Sequence, residues 1–134
     1  MSRIVTISEA AHIALHGMIL VAQSDGLINV IKISEKTDSS KHHVAKIFQR
    51  LVKEGMVTSQ RGPNGGFKLN KKPEEITFLD IYEVIEGEIT TQECPLEKPI
   101  CPFKKCIMNG ITQRLTKEFK QYLSEQTLAM YKDY

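Results

Sequence analysis

The chain has 134 residues, 41% hydrophobic and 25% charged, which fits one ordinary globular domain or one domain with a dimerising arm. No apolar run approaches the ~20 residues needed to span a bilayer, and the start MSRIVTISEA lacks a signal-peptide layout, so the expected compartment is the cytoplasm, with no membrane partner. Net charge is only +2, but ten Lys/Arg stand against three acids from Lys32 to Lys72, and eight acids without a Lys/Arg follow from Glu74 to Glu97, so one face is suited to a polyanion.

Ser8 is placed to cap a first helix running to about Gln23, with Ala10, Ala14, Met18 and Val21 at helical spacing. Ser24-Asp25-Gly26 breaks it. A short second helix is expected over Ile31 to Thr37, then a turn and cap at Asp38-Ser39-Ser40, then a third helix to about Glu54. Val44, Ile47, Phe48 and Leu51 give that helix one apolar face, and Gly55 suits the position after its end. Two β-leaning runs, Val57 to Arg61 and Phe67 to Leu69, flank Gly62-Pro63-Asn64-Gly65-Gly66, a hairpin signal centred on Asn-Gly. Helix, turn, helix and basic hairpin in this order predict a winged helix-turn-helix. Thr77 caps a further helix from Phe78 to Ile85, ending at Gly87. A loop of proline-broken sequence follows, with Pro95, Pro99 and Pro102. From Ile107 onward, Ile111, Leu115, Phe119, Tyr122, Leu123 and Leu128 make an amphipathic stripe that is expected to pair with a second copy.

The fold class expected is therefore mainly α with a small β-hairpin wing. Residues 1–87 are read as a winged helix-turn-helix DNA-binding domain, 88–106 as a cysteine-bearing loop and 107–134 as a dimerisation helix. In a helix-turn-helix the second helix enters the major groove with its N-terminal residues near base edges. Here these are Ser39, Ser40, Lys41, His42, His43 and Lys46, types that hydrogen-bond to bases or phosphates. Arg50 is expected on the exposed face as a phosphate clamp or salt-bridge residue. In the wing, Arg61 can enter a narrow minor groove, Gly65 permits close approach of backbone, and Lys68 adds charge beside Lys71 and Lys72.

The only cysteines, Cys94, Cys101 and Cys106, fall in ECPLEKPICPFKKC with the spacing C-x6-C-x4-C. Clustered thiols in a reducing compartment point to metal or redox chemistry, and an odd number suits a disulfide framework poorly. The paired C-x2-C of most zinc ribbons is missing. Three thiolates need another donor to close a tetrahedral site. Candidates are His12, His16 and Glu9 on the first helix and Glu97 in the loop. Lys104 and Lys105 beside Cys106 favour the thiolate.

The run VAKIFQRLVKEGMVTSQRGPNGGFKL, then PEEITFLDIYEVIEGE, then three cysteines, resembles the Rrf family of bacterial winged helix-turn-helix regulators, in its iron–sulfur cluster-binding branch. The resemblance covers essentially the whole chain, from ALHGMILVA to the terminal helix. It implies a homodimer on a double-stranded DNA operator, with a 2Fe-2S or 4Fe-4S cluster on Cys94, Cys101 and Cys106 that alters DNA affinity in response to redox state, nitric oxide or iron supply, more often as a repressor. Two departures stand out. The middle cysteine is displaced by one residue from the near-equal gaps of these relatives, and Asn109 occupies the place of a histidine ligand that some members carry. Other members use a side chain near the start of the first helix of the partner subunit. The corresponding position is His12, with Glu9 second to it. The alternatives are a winged-helix regulator with a structural zinc or a thiol switch, and an iron–sulfur electron carrier. No Gly-rich nucleotide loop or activated nucleophile suggests an enzyme.

Overall fold

Ser8 accepts a hydrogen bond from the Ala11 amide at 3.0 Å and so opens α1 (Glu9–Gln23), in a computed structural model that describes residues 1–94, 96 and 100–134. The helix is buried over Ala11, Ile13, Ala14, Gly17, Met18, Val21 and Ala22, a wider band than the stripe expected from the sequence. Asn29 caps α2 (Val30–Thr37) through its side-chain oxygen, which starts the helix one residue before Ile31. Asp38, at φ 50°, ends it. Ser40 accepts from the His43 amide at 3.1 Å and starts α3 (Lys41–Lys53). Val44, Ile47, Phe48 and Leu51 are buried, as the periodicity predicts. Gly17 lets α1 and α3 close on each other, because a Cβ there would lie 2.8 Å from Phe48 Cε2.

Loss of the Ser40 hydroxyl leaves a donor at the start of α3 unpaired. Ser40→Ala is expected to lower stability by about 1 kcal/mol, read from urea midpoints, and no change in midpoint would contradict this cap.

The wing pairs β1 (Val57–Gln60) with β2 (Gly66–Leu69), antiparallel, with Val57 opposite Leu69 and Gln60 opposite Gly66. Its tip differs from the Asn-Gly turn expected. Gly62 and Gly66 carry the positive φ values, 110° and 153°, and the Gly65 amide donates to the Gly62 carbonyl at 2.9 Å. Pro63 therefore sits at the second position of a four-residue turn, where its fixed φ is favourable. Ile28, ahead of α2, bridges to Phe67 and extends the hairpin sideways. The wing is thus anchored to the helical body on one edge.

Thr77 and Asp80 exchange side-chain and backbone bonds (3.0 and 3.1 Å) in a capping box that starts α4 (Phe78–Glu86). Gly87, at φ 89°, stops it. The terminal helix differs from expectation at both ends. Asn109 and Gly110 have positive φ, so α5 spans only Ile111–Glu125. After Gln126 the chain turns back, Thr127 bridges to Thr77, and Leu128 is fully buried in the core with α1, α3 and α4 side chains. A short 3-10 turn, Leu128–Tyr131, follows, with Tyr131 stacked on Phe78 at 5.0 Å. Leu128 therefore belongs to the body of the fold rather than to a partner-facing stripe. Along α5 only Leu123 is buried, while Leu115 and Tyr122 stay 43% and 52% exposed.

Candidate nucleic-acid interface and cysteine loop

The outer face of α3 exposes Lys41, His42 and Lys46, while Val44 of its first turn is buried in the core. The two serines expected among the base readers are engaged in shaping the turn. Ser39 donates to the Thr37 carbonyl at 3.1 Å, and Ser40 is the cap. His43 is partly buried, with Nδ1 3.7 Å from the Glu9 carboxylate of α1. Arg50 departs from the reading given to it. It is exposed, as expected, but its Nη2 donates to the carbonyls of Val84 and Ile85, both at 2.9 Å, so the guanidinium caps the end of α4.

Arg61 is exposed at the turn end of the wing, next to the Gln60–Gly66 pair, and shares a groove of about 400 Å³ with Ala45, Gln49, Val52, Ser59 and Phe67. Gln49 was missed from the sequence. It follows Ala45 by one helical turn, and that spacing was the available signal. Gly65 has a reason internal to the hairpin. A Cβ there would come within 2.2 Å of the Gln60 carbonyl oxygen, so the glycine is required by the turn itself, with or without a groove nearby. Lys68 is exposed on β2. Lys41, Lys46, Arg61 and Lys68 place cationic side chains on both the helix and the wing, a combination suited to phosphate neutralisation on either side of a groove.

All three thiols are free. Cys94 is half-buried, and Cys101 and Cys106 are exposed in the segment between α4 and α5. Among the described residues no three His, Cys, Asp or Glu side chains converge on a metal-sized point. Glu97 lies outside the described residues. His12 sits on α1 with its ring 4.0 Å from that of His16, whose Nδ1 is 2.8 Å from the His12 carbonyl oxygen. Burial chiefly, and then the neighbouring His16, lower the His12 pKa below its ordinary value, against an opposing pull from Glu9. The imidazole is therefore held towards its neutral, lone-pair-bearing form. Three thiols with an imidazole are a soft donor set that suits zinc or iron–sulfur chemistry. Within one chain, however, the set is not assembled.

No helix among the described residues is long and apolar enough to cross a membrane. The family described as "Rrf2: Iron-dependent Transcriptional regulator" matches residues 7–133. The HTH-type transcriptional regulator IscR of Yersinia pestis is 26% identical over 117 residues, covering 87% of this chain and 68% of that protein. The protein of the same name from Serratia proteamaculans (strain 568) gives the same figures. Among solved structures, CymR, the global cysteine regulator of B. subtilis, superposes with a TM-score of 0.81 at 28% identity, covering 98% of each chain. T. potens IscR gives 0.74 at 25% identity, over 96% of this chain and 88% of the other. The oxidized form of Staphylococcus aureus CymR gives 0.77 at 26% identity, over 97% and 98%.

Proposed function

The chain belongs to the Rrf2 family of transcriptional regulators, and from that premise we propose that it is a cytoplasmic homodimer whose affinity for double-stranded DNA is set by an iron–sulfur cluster on Cys94, Cys101 and Cys106. The observation that carries the reading is the placement of all three thiols in one segment between α4 and α5 of a winged helix-turn-helix body. Lys41, His42, His43 and Lys46 of α3 would meet the major groove, with Arg61 and Lys68 of the wing on the flanking backbone or minor groove. The exposed apolar side chains of α5, Leu115 and Tyr122 among them, would meet the same helix of a second copy. His12 of the partner subunit is the fourth donor we favour, since its neutral form is the one that ligates and no three of the candidate donors converge among the described residues of one chain. Glu9 is less suited, because its carboxylate already faces His43. A bound 2Fe-2S or 4Fe-4S cluster supplies reversible electron transfer and reactivity towards oxygen or nitric oxide, the signals such a regulator would report.

A thiol switch without a cluster is the second reading. The exposed Cys101 and Cys106 thiols and the similarity to the oxidized CymR structure favour it.

The test is anaerobic reconstitution with ferrous iron and sulfide, followed by absorption spectra, analysis of iron, sulfide and zinc, and selection of duplexes from a random library. Iron with equivalent sulfide, a visible charge-transfer band, and loss of both in Cys101→Ser are expected. DNA affinity should fall steeply with salt, by roughly 10³-fold or more from 50 to 200 mM for six or more phosphate contacts. Stoichiometric zinc in a colourless protein would overturn the cluster reading. Metal-free protein whose DNA affinity follows diamide oxidation would favour the thiol switch.

A further inference from the structure

The last four carbonyls of a helix have no partner within the helix. At the end of α4 the Glu83 carbonyl is taken by the Gly87 amide at 2.9 Å. The next two, Val84 and Ile85, are taken by a single nitrogen of Arg50, an exposed residue of α3. A guanidinium NH2 has two hydrogens to give, and its charge complements the negative end of the helix. The recognition helix therefore grips α4 at its last turn.

Just beyond that turn the backbone is held again. The Ile89 amide donates to Glu83 Oε2 at 2.7 Å, and the Ile89 carbonyl accepts from Lys120 Nζ of α5 at 3.1 Å. Both backbone polar groups of Ile89, at the root of the segment bearing Cys94, are thus tied, one to α4 and one to α5. Glu83, which holds the first of these bonds, immediately precedes Val84, which Arg50 holds. Glu86 of the same turn accepts a hydrogen bond from the Ser8 hydroxyl, the cap of α1. Bonds from α1, α3, α5 and the root of the cysteine segment consequently meet around the end of α4.

We infer that Arg50, Glu83 and Lys120 form a mechanical link by which the state of the cysteine segment and of α5 positions the recognition helix. Arg50 and Glu83 are then positioning residues for DNA binding. The inference rests on the reading that the cysteines set DNA affinity. A displacement of Ile89 acts on the Glu83 side chain, shifts the carbonyls of Val84 and Ile85, and carries Arg50 and α3 with them. A static cap would make the same bonds but would leave α3 indifferent to what happens at Ile89.

Glu83→Gln keeps the shape and weakens the bond to Ile89, because the charge that strengthens it is gone. Two measurements on the full-length protein decide the matter. Amide hydrogen exchange of the reduced protein should rise at residues 87–90 and also in the second half of α3. Exchange that rises only at 87–90 would overturn the link alone. The second is the ratio of dissociation constants, for the tightest duplex from the random library, between reduced protein and protein incubated with ferrous iron and sulfide. For wild type a ratio on the order of 5–150-fold is typical of such coupling. In Glu83→Gln it should fall towards one, and Arg50→Lys, which keeps a cationic donor, should retain more of it than Arg50→Met. A wild-type ratio of one would overturn the regulatory reading and the inference with it. A full ratio in Glu83→Gln would overturn the inference and leave the regulatory reading standing.

Discussion

Phe48→Ala is expected to lower the free energy of unfolding by about 3–5 kcal/mol, which is the cost of removing a large aromatic from a closed core. Phe48 is fully buried on α3. Its ring lies 4.6 Å from that of Phe67 in the wing and occupies the space that Gly17 leaves on α1. One side chain therefore joins the recognition helix, the first helix and the wing. Alanine would open a void at the junction of all three, and backbone elements can collapse into such a space only partly. Against a typical total of about 5–15 kcal/mol, the loss is a large share of the stability of a domain this size. Urea titration of both proteins should show a lower midpoint with an unchanged slope. A loss below about 1.5 kcal/mol, the upper range for conservative core swaps, would mean that Phe48 is not the junction described.

Gly66→Ala is expected to cost about 2–4 kcal/mol, from a backbone conformation that L residues rarely adopt and from direct overlap. At φ 153° its Cβ would stand 2.6 Å from the carbonyl oxygen of Ile28. Neither partner is the flexible end of a side chain, so the strand must move off. Moving it breaks the two bonds that join Phe67 to Ile28, at 2.8 and 3.2 Å, and those bonds orient the wing on the body. Arg61, which directly follows Gln60, the partner of Gly66 across the hairpin, should shift with it, so the affinity for DNA should fall along with thermal stability. Gly26→Ala is the control. Nothing lies within 4 Å of its added Cβ, and a change within about 0.5 kcal/mol is expected there. Equal effects in the two variants, measured by calorimetry, would mean that the Ile28 contact does not hold the wing.

Features written in local sequence were legible from it. Ser8 and Thr77 are short polar residues ahead of apolar runs, and both cap helices. The apolar face of α3 follows from spacing alone, and a glycine-rich break between two β-leaning runs could only be a turn. What was hidden depended on partners far along the chain. Arg50 bonds to carbonyls 34 and 35 positions away, and nothing beside it in sequence announces this. Its charge alone suggested DNA. Leu128 continues the spacing of the α5 stripe closely enough to be assigned to it, although the chain leaves the helix at Gln126 and carries Leu128 into the core. Asn109-Gly110 was the readable sign that α5 starts late, since both residues tolerate positive φ. The candidate cluster ligands were legible as residue types, but among the described residues they do not converge on one point.

The return of residues 126–131 to the body bears on how the molecule comes into being. Leu128 fills the core of the winged half, its amide bonds to the Ile76 carbonyl, and the Phe78 amide bonds to the Gln126 carbonyl. The last piece of the DNA-binding half therefore arrives after the whole cysteine segment and α5 have been made. On the ribosome, where chains emerge from the N-terminus at about 5–20 residues per second, the winged half waits several seconds for its closing side chain. Non-local closure of this kind sets an order of events: residues 94–106 are synthesised before the side chain that completes the core of the winged half. Synthesis thus delivers the thiols ahead of the completed DNA-binding surface.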